Sequence, residues 1–146
     1  LELALAGFLA QGKEPSPPTA IIRSNLAYAY RLLERQPQGL ENARSAYAQV
    51  LQLLGPEHGL AAAFRTELAA NLLATGQTDA ALAEAQAAAL ILERLPQPVD
   101  RTWLIDSATV LAAIHRNRGD LDQAASFDRR REALEALRSQ PPSQPP

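Results

Sequence analysis

Two histidines are the side chains best placed to do chemistry. His58 sits in "LLGPEHG" (53–59) and His115 in "AAIHRNRG" (112–119). A metal site or an acid–base pair needs ligands that converge. The sequence has no His-x₃-His, no cysteine and no Ser/His/Asp spacing of a nucleophilic site. His58 therefore reads as a turn residue, and His115 as a packing residue standing in for an aromatic. Gly55, Gly59, Gly76 and Gly119 do not make a phosphate-binding loop, because neither glycine-rich pattern is present and no strand precedes them. The "RRRE" run (129–132) reads as a solvated helix face, with an anionic partner as the sharper alternative. Trp103 reads as a packing anchor just before a helical stretch, with a partner contact as its alternative. No catalytic residue, metal or cofactor is expected.

The elements that would carry these residues are helical. Hydrophobic residues make up 47% of the 146, but aromatics only 5%, so Ala and Leu supply most of the apolar surface. That favours closely packed helices over sheets, which want β-branched and aromatic side chains. The balance of 14 basic and 16 acidic residues gives a net charge of −2, and nothing in it draws the chain to nucleic acid. Thirteen of the basic residues are Arg, and Lys13 is the only lysine. No apolar run reaches the ~20 residues of a membrane span, so no membrane insertion is expected. Met is absent even at position 1. The expectation is a piece of a longer protein, whose leader could lie in the missing part. A cytoplasmic location is the working expectation.

Helical spacing recurs along the chain. Ile22, Leu26 and Tyr30 are four apart, as are Phe64, Leu68 and Leu72, and Leu104, Ala108 and Ala112. Each stripe is followed by a break and a second helical stretch. The breaks read "RQPQGLENA" (35–43), "ATGQTDAA" (74–81) and "NRGDLDQAA" (117–125). Gly76 and Gly119 are placed to end the first helix, with Thr78 or Asp79, and Asp120, as N-caps of the second. Leu26-Ala27, Leu68-Ala69 and Leu111-Ala112 occupy matching places, 42 and then 43 residues apart. A helix–turn–helix repeating at this period predicts an all-α solenoid of about seven helices.

The pattern resembles tetratricopeptide repeats, most closely the long repeats of the kinesin light chain type. The resemblance rests on Leu26, Ala27 and Tyr30, then Ala43, Tyr47 and Val50-Leu51, in the first full repeat. It continues in Leu68, Ala69 and Leu72, then Ala81, Ala85 and Ala88, and in Leu111, Ala112 and His115, then Ala124. "SNLAYAY" (24–30) is similar to the start of the first helix in that family, and "LGPEHG" to its inter-repeat link. One tetratricopeptide-like domain is expected over 1–138: a half repeat at 1–12, then repeats at 18–55, 58–96 and 99–138. Residues 1–12 read as the second helix of a hairpin whose first helix is absent. Asp128 and Arg131 suggest a polar, terminal last helix. Residues 139–146 read as a disordered or polyproline tail.

The resemblance implies a non-enzymatic interaction scaffold, with a peptide or protein segment held in a concave groove lined by the first helix of each repeat. In that register the groove positions are Ser24, Asn25, Tyr28 and Arg31, then Thr66, Glu67, Ala70 and Leu73, then Thr109, Ala113, Arg116 and Asn117. Asn25 matches a family Asn that hydrogen-bonds ligand backbone, while Glu67 and Val110 replace it in the later repeats. Family members that bind chaperones clamp a C-terminal carboxylate with Lys and Asn. No first helix here carries Lys, and Glu67 would repel a carboxylate, so no such clamp is expected. Arg31 and Arg116 remain as contacts to an acidic segment. Two alternatives stand beside the scaffold. One is a regulatory or substrate-recruiting domain of a larger bacterial enzyme or signalling protein. The other is self-association into a homo-oligomer through residues 1–12.

Overall fold

The computed structural model describes residues 1–10, 12 and 15–138. Lys13 and the tail expected at 139–146 lie outside the described residues. Seven helices follow one another: α1 (Glu2–Ala10), α2 (Pro17–Leu32), α3 (Gln36–Leu54), α4 (Gly59–Ala74), α5 (Thr78–Arg94), α6 (Arg101–Arg118) and α7 (Leu121–Arg138). No strand occurs among the described residues.

The first helix of each repeat begins on a side-chain cap. Ser16 accepts from the Thr19 N–H at 3.4 Å, and Thr19 returns the bond by accepting from the Ser16 N–H at 3.2 Å. Pro17 and Pro18 follow, where a missing N–H costs nothing. His58 Nδ1 accepts from the Leu60 N–H at 3.1 Å, and Asp100 accepts from the Thr102 N–H at 2.8 Å. His58 is thus the N-cap of α4. Asp120 stands immediately before α7, as expected, but the start of α5 differs from expectation. Gln77 occupies the N-cap of α5 without a side-chain bond. Thr78 is already helical, and its hydroxyl donates instead to Asn117 at 2.9 Å. Asp79 is drawn to Arg118. The Asp120 carboxylate faces His115 and Arg118.

One hydrogen-bond signature closes the first helix of all three repeats. The N–H groups of Arg35, Gln77 and Asp120 donate to the carbonyls of Tyr30, Leu72 and His115 at 2.8, 2.9 and 2.9 Å. One residue earlier, Glu34, Gly76 and Gly119 donate to Arg31, Leu73 and Arg116. This is a Schellman ending, which needs a left-handed residue. Gly76 and Gly119 supply it at φ 77° and 82°. The first repeat has no glycine there, and Glu34 adopts φ 56°. The repeat is therefore written into the backbone even where the expected residue is missing.

The helices pair as hairpins α2–α3, α4–α5 and α6–α7, and the hairpins stack through α3–α4 and α5–α6. The first helices also meet directly, α2 with α4 and α4 with α6. The backbones of α3 and α5 do not come close, nor do those of α5 and α7, across which only a long side chain such as Arg130 reaches Glu93. Contact on one side and separation on the other curves the stack, with α2, α4 and α6 on the inner face. Helix α4 is the centre. Its Leu68, Ala69 and Leu72 join Ala27, Leu40, Ala43, Ala81, Ala85, Leu111 and Ile114 in the main core. Its Ala61 and Phe64 pack with Ala20, Ala46 and Val50, and its Ala62 with Ile91, Leu92 and Val99.

The ends are less committed. Helix α1 touches α2 alone among the described elements and buries no residue. Among the described residues its specific tie is a hydrogen bond from the Tyr30 hydroxyl to Glu2. Helix α7 buries only Ala124, while Asp128 and Arg131 are half-buried in ion pairs.

The left-handed site gives a stability test. Glu34→Gly should raise stability by about 1 kcal/mol in thermal melting, because Gly takes a positive φ without the Cβ penalty. Gly119→Ala should lower it by a similar amount. A destabilised Glu34→Gly would contradict the shared ending.

Candidate functional site

The inner face of α2, α4 and α6 forms an open groove of about 610 Å³. Ten of the twelve groove positions read from the sequence line it: Ser24, Asn25, Tyr28, Arg31, Thr66, Glu67, Ala70, Leu73, Thr109 and Ala113. Arg116 and Asn117 do not. The Arg116 guanidinium turns to Asp128 of α7 at 2.7 Å, and the Asn117 carbonyl accepts from Thr78 of α5. Both lie near the end of α6, where its hairpin partner and the previous repeat compete for polar side chains. Eight further residues complete the lining: Leu32, Leu60, Ala63, Phe64, Thr102, Trp103, Asp106 and Val110. Most stand one turn nearer the start of α4 and α6 than the family register reached. Their 3–4 residue spacing along α6, from Trp103 to Asp106 to Val110 to Ala113, would have found them.

Apolar side chains collect at one part of the groove. Trp103 lies in the first turn of α6, not before the helix, and its ring rests against the start of α4. A Cβ at Gly59 would sit 2.3 Å from Trp103 Cζ3, so only glycine admits the ring there. Leu60, Ala63 and Phe64 continue this surface along α4. Tyr28 stands across from them on α2 with 51% of its surface exposed.

A line of charge crosses the three helices. Arg31 of α2 donates to both carboxylate oxygens of Glu67 on α4, at 3.3 and 3.4 Å. The same guanidinium lies 5.2 Å from the Tyr28 ring centroid, a cation–π distance. Asn71 donates to Glu67 Oε1 at 2.7 Å from a site that is 1% exposed. Its Oδ1 is buried without a hydrogen-bond donor and faces Gly39 of α3, where a Cβ would come within 2.5 Å. Burial pushes the Glu67 carboxyl above the ordinary value, and the Arg31 charge pulls it part of the way back. Asp106 of α6 is also raised, by burial first and the neighbouring Asp100 second, with Arg31 opposing.

The other sequence candidates sit away from the groove. His115 stacks on Phe127 at 5.6 Å between ring centroids, with Nδ1 3.4 Å from Asp120. Arg130 of the basic run reaches Glu93 at 3.3 Å, and Arg131 lies among Asp128, Glu132 and Glu135. Among the described residues no three His, Cys, Asp or Glu side chains converge as metal ligands. None of the described helices is long and apolar enough to cross a membrane.

No protein-family model matches the chain, and no curated protein matches it. Among solved structures, BtubC (BKLC) from P. vanneervenii, a bacterial kinesin light chain-like protein, is similar with a TM-score of 0.78 at 23% identity. The match covers 99% of this chain and 58% of that one. The fold is thus a helical solenoid similar to that of BtubC.

The raised carboxyls predict a direction. A glutamate whose folded value lies above 4.5 binds its proton more tightly when folded. Its contribution to stability is greatest below the ordinary value and is lost as pH rises through the raised one. Carboxyl-resolved NMR titration should place Glu67 above 4.5, and Arg31→Ala should move both Glu67 and Asp106 further up. A Glu67 value that falls when Arg31 is removed would contradict this account.

Proposed function

We propose that the chain is a non-enzymatic scaffold holding a peptide or protein segment in the groove formed by α2, α4 and α6. The observation that carries this reading is the continuity of the groove across all three helices. A small-molecule site would need enclosure, whereas this lining is an open inner face with an apolar floor and polar groups along it. Asn25 and Thr109 are exposed in the lining. An amide that both donates and accepts suits the paired N–H and C=O of an extended segment. The likeness to BtubC supports the fold on which the reading depends. The test is selection from a displayed library of random peptides, followed by calorimetry. Thr109→Trp, which fills the groove from an exposed position, and Tyr28→Ala should each weaken selected peptides by about tenfold with an unchanged melting midpoint. Failure to enrich any peptide, or equal binding to both variants, would refute the reading.

A second reading, self-association through α1, is favoured by one observation. Leu3 and Leu9 are 90% and 40% exposed on a helix that buries nothing, and Leu1 just before it is 57% exposed. Such a surface gains by pairing with its copy. Light scattering should give a dimer for the chain and a monomer for Leu3→Glu combined with Leu9→Glu. A monomer in both cases removes this reading.

A further inference from the structure

The charges of the groove set what its occupant can carry. Three charged side chains line it, Arg31, Glu67 and Asp106, leaving an excess of one negative charge. The positive one is already engaged. Arg31 bonds both oxygens of Glu67 and lies beside the Tyr28 ring. Arg116, the other guanidinium that the sequence offered to an acidic ligand, is held by Asp128 outside the groove. No cation in the lining is left for a ligand carboxylate.

Asp106 is in the opposite position. It lines the groove and forms no hydrogen bond or ion pair with the described residues. Asp100, at the start of the same helix, adds negative potential beside it. Arg101, also nearby in sequence, spends its guanidinium on the Leu137 carbonyl at 2.9 Å. The apolar surface of Leu60, Phe64 and Trp103 lies in the same groove, with Trp103 one turn before Asp106.

We propose that the occupant is a peptide segment carrying a basic side chain, Arg or Lys, that reaches the Asp106 carboxylate while an apolar neighbour rests on Leu60, Phe64 and Trp103. This rests on the reading of the groove as a peptide site. The indole ring of Trp103 adds attraction for a cation, whereas the Tyr28 ring already carries the Arg31 guanidinium. An Arg can take the carboxylate through two N–H groups at once. An acidic segment would meet Glu67 and Asp106 with no free counter-charge and would be repelled.

The experiment uses two displayed peptide libraries alike except at one central position, Arg in one and Glu in the other. The Arg library should enrich against the chain and the Glu library should not. Selected peptides should bind about fivefold more weakly to Asp106→Asn, the size of a partly exposed ion pair. That difference should vanish when the peptide's Arg is replaced by Leu, and affinity should fall as salt rises. Equal or better enrichment of the Glu library would overturn the proposal. So would Arg peptides that are indifferent to Asp106→Asn yet lost on Thr109→Trp, an outcome that leaves the groove reading standing. Enrichment of neither library would remove the groove reading and this proposal together.

Discussion

Close approach at small side chains is the constraint on which the rest of the structure depends. Ala27, Ala69 and Ala112 on the first helices, and Ala43, Ala81 and Ala124 on the second, are all between 0% and 3% exposed. A single hairpin has an apolar face on each side and cannot cover both. Stacking shares those faces, and alanine lets the backbones come near enough to exclude water. Helix α4 feels this most, since it meets α2, α3, α5 and α6 and contributes to all three core clusters. The curvature follows from the same contacts. The backbones of the first helices approach one another and those of the second helices do not, so the groove is a consequence of how the alanines seat the hairpins.

The polar groups of the groove are held from behind. Asn71 is buried in α4, yet it donates to the carboxylate of Glu67, which in turn fixes Arg31 from the neighbouring repeat. Gly39 of α3 leaves the space that the Asn71 amide occupies. A chain of four residues therefore ties the second helix of one repeat to the charged surface of the next. Removing one partner would leave a desolvated charge, which costs more than the pair contributes. The groove is thus firm in its charge pattern before any ligand arrives.

The period, the helix-rich class and most of the inner face were legible in the sequence, because they depend on spacing alone. Leu26-Ala27, Leu68-Ala69 and Leu111-Ala112 mark the register without knowledge of contacts. What could not be read depends on pairwise competition in space. Arg116 holds the register of Arg31 and Leu73 but is taken by Asp128, twelve residues later on α7. Glu34 ends a helix in a conformation the sequence assigns to glycine, since the hydrogen bonds around it outweigh its own preference. Asp106 stands one turn before the positions that the family pattern marks. The role proposed for it depends on its carboxylate having no ion pair among the described residues, which only the fold reveals.

The central claim is that the three first helices form one receiving surface. Paramagnetic broadening from a spin label on a selected peptide would test it most directly. The account predicts loss of amide signals along the inner face, within Ser24–Leu32, Leu60–Leu73 and Thr102–Ala113, with α3, α5 and α7 unaffected. Broadening centred on α3, α5 or α7 would contradict it.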